Sequence, residues 1–223
     1  TWACLWKLDT DLRSTPGAQA VLVRKKRTHM NGTVLRTWRQ LITIRGGVKV
    51  NGGNNPDSYD YPNGSRLYVI GMDDPQKVLS GEYDWIVVNQ AEELSKTDWE
   101  MLSMRCTGRG AVTQHPAMYG DCNPGPPTHF LKHRDGLKMF KSVHRDNPSL
   151  YDGEGNLTEQ GVKTMRRLNT LTGVRRERYL EGRWVSAEGV VYEGWDRNVH
   201  VISGTFVDDD GTVRKRPRLG PEY

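Results

Sequence analysis

Four polar residues crowd behind one short apolar run. The run is Trp85-Ile86-Val87-Val88, and Asn89, Gln90, Glu92 and Glu93 follow it within five positions. Two amides and two carboxylates in one place can ligate a cation through oxygen, orient a water molecule or accept its proton. Only the carboxylates can do the last of these, because an amide oxygen is not a useful base. Chains also leave a hydrophobic core through polar residues for no functional reason, so the surrounding elements must decide what this group is for.

The run itself is apolar and β-branched, which predicts a central strand buried on both faces. Behind it, Ser95 and Asp98 form a variant of the capping box, with Asp in place of Glu, at the head of a helix reaching Leu102. In an open α/β sheet ligands bind beyond the carboxyl ends of the strands. A strand ending in such residues and leading into a helix is how nucleoside triphosphatases hold Mg²⁺ and aim the attacking water.

Further elements supply the rest of a sheet. Trp2, Leu5, Trp6, Leu8 and Leu12 mark an amphipathic helix over 1–13, stopped by Ser14-Thr15-Pro16-Gly17. Ala18 to Val23 is a strand running into Arg24-Lys25-Lys26-Arg27, a charge run that is either solvated or set at the ligand edge. A second helix spans 33–41, and the Gly- and Asn-rich 42–61 is loop or irregular hairpin. Strands are expected at 66–70, 117–121, 139–143 and, less regularly, 189–195. Cys122-Asn123-Pro124-Gly125-Pro126-Pro127 is a rigid polar loop, since two prolines continue neither helix nor central strand. Helices over 158–171 and 175–180 follow, and Asp208-Asp209-Asp210-Gly211 reads as a hairpin turn rather than a metal site. The alternation predicts an α/β sheet, not a sandwich.

Composition narrows the classes. Lys and Arg number 32 against 27 acids, a net charge of +5, which permits a polyanion partner without demanding one. Cys4, Cys106 and Cys122 have no paired spacing, so neither a disulfide framework nor a structural zinc site is expected, and a reducing setting fits. No apolar run nears the ~18 residues of a membrane span. The chain opens on Thr1 directly in a helical pattern, without an initiator Met, and reads as a fragment.

Taken in order, several segments resemble the large subunit of tailed-bacteriophage terminases, the motor that packages DNA through a portal. They are V-L-V-R-K-K-R, L-Y-V-I-G-M-D-D-P-Q-K-V-L-S, W-I-V-V-N-Q-A-E-E-L, D-C-N-P, H-R-D-N-P, Y-L-E-G-R-W-V and G-V-V-Y-E-G-W-D. The resemblance implies a P-loop NTPase of the ASCE type: a mostly parallel sheet flanked by helices, incomplete at its N-terminus, with a small helical lid. It divides the chain into an ATPase core over 1–149 without its first strand and phosphate-binding loop, a lid over 150–185, and a run-in over 186–223 to an absent nuclease domain.

The same resemblance assigns roles. Thr1 stands where the Walker A Ser/Thr ligates Mg²⁺, and Arg24 at a basic position that meets phosphate or a neighbouring subunit's nucleotide. Asn89 and Gln90 occupy the Walker B positions of the metal-holding acid and the catalytic Glu, and both are amides. Glu92 or Glu93 is then the replacement acid, and Asn123 lies in the motif that couples nucleotide state to DNA gripping. ATP and Mg²⁺ are the implied cofactors. Double-stranded DNA, the portal protein, the small terminase subunit and further copies in a ring are the implied partners, in the host cytoplasm at the procapsid and away from membranes. Two other functions fit the residues: a degenerate, non-hydrolysing module contacting DNA or portal, and another ASCE motor such as a helicase. Without the loop's lysine and glycines, this stretch alone is expected to turn over little ATP.

The basic clusters, with no recognition helix beside them, predict weak DNA binding without sequence preference. Each neutralised phosphate should add about 0.9 to the log–log salt slope. Fluorescence anisotropy on two unrelated duplexes at ~50 and ~200 mM salt checks this. A flat salt response, or a strong preference for one duplex, contradicts it.

Overall fold

The computed structural model describes residues 1–111, 115–186, 205–207 and 213–215. Helix α1 (Trp2–Ser14) leads into strand β1 (Gln19–Arg24), then α2 (Val34–Arg45). Two short strands, β2 (Lys49–Asn51) and β3 (Ser58–Asp60), precede β4 (Arg66–Gly71). Next come α3 (Pro75–Leu79), β5 (Trp85–Val88), α4 (Lys96–Ser103) and β6 (Ala117–Gly120). Helices α5 (Phe130–His133), α6 (Glu159–Asn169) and α7 (Gly173–Tyr179) follow, then strands β7 (Thr205–Val207) and β8 (Val213–Lys215).

Strands β1 to β6 form one sheet in the order β2-β3-β4-β1-β5-β6. β4, β1, β5 and β6 run parallel, while β3 pairs antiparallel with both β2 and β4. Helices cover both faces, so β5 buries every side chain and β1 all but Gln19, while β4 alternates between buried and partly exposed positions. On β1 and β5, Ala20, Leu22, Trp85 and Val87 join Leu5, Leu8 and Leu12 of α1 and Trp38 and Leu41 of α2. The intervening Val21, Val23, Ile86 and Val88 face Trp99 and Leu102 of α4 with Val78 and Leu131. This is the expected mostly parallel α/β sheet flanked by helices.

Most predicted elements are present, and the departures have local causes. Ser95 and Asp98 cap α4 reciprocally, at 3.1 Å and 2.8 Å. The Gly- and Asn-rich stretch holds the hairpin β2–β3, and α2 runs on to Arg45. Pro75 opens α3 at a position where its missing N–H costs nothing. Residues 139–143 form no strand: Met139, Phe140 and Val143 are exposed, with no strand paired to them among the described residues. Their apolar composition suited a strand, but such residues gain mainly from cross-strand packing, which is missing here.

The chain divides into two compact units, Thr1–Val185 and Ser186–Tyr223. The first contains the sheet and also α6 and α7. In the second, β7 and β8 pair antiparallel, Val207 opposite Val213. The acidic turn residues Asp208 to Asp210 and the strand expected at 189–195 lie outside the described residues. No helix among the described residues is long and apolar enough to cross a membrane.

One polar cluster ties α1 to α2. Asp9 is fully buried on the apolar face of α1 and receives Arg13 at 2.8 Å, Arg45 at 3.0 Å and the Tyr61 hydroxyl at 2.7 Å. Burial first, and then the Asp9 carboxylate, push the Tyr61 hydroxyl well above its ordinary range, so it stays a donor. Asp9→Ala would strand two guanidinium groups and a hydroxyl. Because both arginines still reach solvent, the expected loss is about 2 kcal/mol, below the ~3–5 kcal/mol of a fully buried pair. Urea unfolding of the variant beside the parent chain measures it.

Candidate functional site

The parallel register decides which residues meet at the carboxyl edge. Val23 lies beside Val88, and Val88 beside Gly120, so the next position on each strand falls into one row: Arg24, Asn89, Asp121. The backbone ladder runs into that row, with Asn89 N–H on the Val23 carbonyl at 2.8 Å and Asp121 N–H on the Val88 carbonyl at 3.1 Å. Close approach needs Gly120, where an added Cβ would lie 2.2 Å from the Val88 oxygen.

Asp121 is the hub of one half of the site. Its carboxylate accepts from the Asn89 side-chain nitrogen at 3.0 and 3.2 Å and from the Gln90 backbone N–H at 3.4 Å. The Thr1 hydroxyl also donates to it. Asn89 is 5% exposed, and its side-chain oxygen is buried without a hydrogen-bond partner. Gln90 adopts a left-handed backbone, φ 52°, unique among the non-glycine residues described, and its side-chain oxygen is likewise buried and unpaired. Such a conformation costs a non-glycine residue of order 1 kcal/mol, and observed strain of this sort clusters at functional sites.

The turn that follows, Ala91–Glu93, is a single 3₁₀ turn that separates the two acids. Glu93 goes to Arg24: the guanidinium grips it with two N–H groups, at 3.0 and 2.8 Å. The remaining Arg24 donor group meets the His29 carbonyl at 3.2 Å and the Thr33 hydroxyl at 3.1 Å. Lys25 pairs in the same way with Asp98 at 2.7 Å. The first half of the basic run is therefore tied to the acids behind β5.

Glu92 goes the other way. One oxygen accepts from the Asn123 amide at 2.8 Å, and the other is buried with no partner. Burial raises the Glu92 carboxyl above its ordinary range, against the hydrogen bonds from its own backbone and from Asn123. The Glu92 carbonyl lies 3.3 Å from the His129 ring nitrogen Nε2. Since Nδ1 of that ring accepts from Leu131 N–H, Nε2 carries the proton and donates. His129 stacks in turn on Trp184, with ring centroids 5.7 Å apart, and Val185 N–H bonds the Gly125 carbonyl.

The structure thus gathers Thr1, Asn89 and Gln90 around Asp121, joins Glu92 to Asn123, and pairs Arg24 with Glu93. Sequence reasoning missed Asp121 and His129. The signal for Asp121 was its place at a strand end before Asn-Pro, but only the β5–β6 register sets it beside Asn89. Hydroxyl, amide and carboxylate oxygens are what a hard divalent cation takes. Among the described residues, no three His, Cys, Asp or Glu side chains gather for a metal.

This architecture has solved counterparts. The large terminase of a thermophilic bacteriophage superposes with a TM-score of 0.67 at 17% identity, over 87% of this chain and 48% of that one. Its ADP complex gives 0.67 at 16% identity, over 87% and 47%. The ATPase domain of the large terminase from Thermus phage P74-26 gives 0.52 at 15%, over 82% of this chain and 83% of that domain. The fold is that of a large-terminase ATPase domain. This chain spans about half the length of the first of these terminases. No protein-family model matches it, and no curated protein is significantly similar. Within the terminase-type fold, the site lies at the carboxyl ends of parallel strands, where α/β sheets bind ligands.

The buried acid has a consequence for stability. The folded state holds the Glu92 proton more tightly than the unfolded chain does, so Glu92 favours folding most below its ordinary value of 4.5. That contribution is lost as pH rises through the higher folded value. Glu92→Gln should therefore melt above the parent chain near pH ~7, with the gap closing toward pH ~4. Thermal unfolding followed by circular dichroism checks this, and a gap independent of pH contradicts it.

Proposed function

We propose that this chain is the ATP-hydrolysing part of a phage DNA-packaging motor, with Glu92 as the acid that acts on the attacking water. The observation that carries the reading is the Glu92–Asn123 bond at 2.8 Å, with the second Glu92 oxygen buried and unpaired. An acid with a raised pKa and an open acceptor oxygen suits proton transfer. Glu93 is held by Arg24 and serves as a support. The fold agrees, since the thermophilic-phage terminase has been solved with ADP and with ATP-γ-S.

The chain's own residues divide the work. The row ending β5 and β6 faces the nucleotide, with Thr1 beside Asp121. Oxygen donors there, Thr1 and Asn89 among them, would hold Mg²⁺, which supplies positive charge to the phosphates. Gln90, in its left-handed conformation, keeps a buried amide oxygen unpaired at the strand end, and its proposed part is to orient water, as a glutamine does in some GTPases. Asn123 reports on Glu92, and the same loop reaches Trp184 through Gly125 and His129. That chain of contacts gives the 150–185 segment a path to sense the site, as a lid would. Double-stranded DNA, portal, small subunit and ring partners, at the procapsid in the host cytoplasm, belong to this reading.

A second reading is a module that binds without turnover. The two amides at Asn89 and Gln90 favour it, because neither carries the charge or basicity of the acids they replace. Turnover decides between the two. In a chain carrying the phosphate-binding loop, Glu92→Gln should lower ATP turnover at least ~10-fold, about 1.4 kcal/mol of transition-state stabilisation. Glu93→Gln should act mainly through stability, by leaving Arg24 unpaired. Phosphate release under saturating ATP and Mg²⁺ measures both. No turnover in the parent chain supports the binding module, and an unchanged Glu92→Gln rate removes Glu92 from the chemistry.

A further inference from the structure

We propose that the divalent-cation carboxylate of this site has moved one strand over, from the end of β5 to Asp121 at the end of β6. The inference deepens the ATPase reading and rests on it only for the choice of Mg²⁺ as the cation. Asn89, at the end of β5, has no charge to give, and the acids that follow it turn away from the row: Glu93 to Arg24, Glu92 to Asn123. Asp121 is the one acid in the row Arg24, Asn89, Asp121 that the parallel register creates.

Its surroundings are built for a cation. The Thr1 hydroxyl already touches the carboxylate as an oxygen ligand, and the Thr1 amino group, 3.5 Å away, now supplies the positive charge that a cation would replace. Asn89 presents its amide to the same carboxylate while its own oxygen is buried, 5% exposed as a residue, and unpaired. A buried acceptor without a donor is a cost of roughly 1–3 kcal/mol that native structures rarely leave standing. The amide is nearly symmetric in shape, and a half-turn exchanges nitrogen for oxygen beside Asp121. With a cation present, that exchange satisfies the Asn89 oxygen and replaces the hydrogen bond now filling its place. Asp121 remains partly open, at 22% side-chain exposure, so the ion and its waters can reach it. Carboxylate, amide and hydroxyl oxygens with several retained waters match how Mg²⁺ is held.

Mn²⁺, as a probe for Mg²⁺, tests this without any turnover. Loss of the free-ion electron paramagnetic resonance signal is titrated on the 223-residue chain, with Mg²⁺ competition. Asp121→Asn should weaken uptake at least ~10-fold. Asn89→Asp, which sets a second carboxylate beside the first, should tighten it by a similar factor, and it decides the matter if Asp121→Asn does not fold. The proposal is overturned if the parent chain takes up no Mn²⁺ that Mg²⁺ displaces, if Asp121→Asn binds like the parent, or if Asn89→Asp binds no tighter. The ATPase reading fails separately, through an inactive chain carrying the phosphate-binding loop or an indifferent Glu92→Gln in it, and neither outcome alters the Mn²⁺ titration.

Discussion

The ion pair between Arg24 and Glu93 governs where the other groups at the strand ends point. Arg24 is 7% exposed, and a guanidinium that deep is tolerable only with its donors satisfied. Glu93 supplies two acceptors, and His29 and Thr33 supply the rest. The bond therefore joins the end of β1, the approach to α2 and the turn after β5. Neighbouring side chains on a tight turn diverge, so fixing Glu93 toward β1 sends Glu92 toward the loop after β6. Which acid is left to face the loop after β6 is settled by which acid the arginine needs.

The sheet adds a second constraint. Parallel strands align their ends by register, and close packing at Gly120 brings β6 near enough for Asp121 to lean on Asn89. The row carries its amide on β5 and its carboxylate on β6. An amide at the strand end lowers like-charge repulsion, leaving room for one carboxylate beside it, which also pairs with the Thr1 amino group at 3.5 Å. The arrangement is coherent as electrostatics, since the Asn89 side-chain nitrogen donates to the Asp121 carboxylate at 3.0 and 3.2 Å.

The loop 121–127 carries the connection outward. Its first residues belong to the site through Asp121 and Asn123, while Gly125 receives Val185 and packs under Trp184. Prolines on either side of Gly125 stiffen the backbone between Asn123 and the contact with Trp184. Glu92, Asn123 and Trp184 thus share one short mechanical path, part of it through His129. Conformational coupling needs such contiguous contacts, together with an element that has two positions.

The elements themselves were legible in the sequence wherever local rules acted alone. The apolar run 85–88, the capping box at Ser95 and Asp98, and the three-residue spacing behind α6 depend on neighbours in the chain, and each is where those rules place it. The candidate site was legible as a set of residue types at a strand end. What the sequence could not assign was partnership. Glu92 and Glu93 are adjacent and chemically alike, and only folding shows that one faces Arg24, 69 positions away, and the other Asn123, 31 positions away. Asp121 looked like the last residue of a short strand until register set it beside Asn89. Residues 139–143 had the composition of a strand and lacked an edge to join. Local preference is written in the order of residues, but register, ion pairing and burial depend on which segments the core brings together, and those distances exist only in the folded chain.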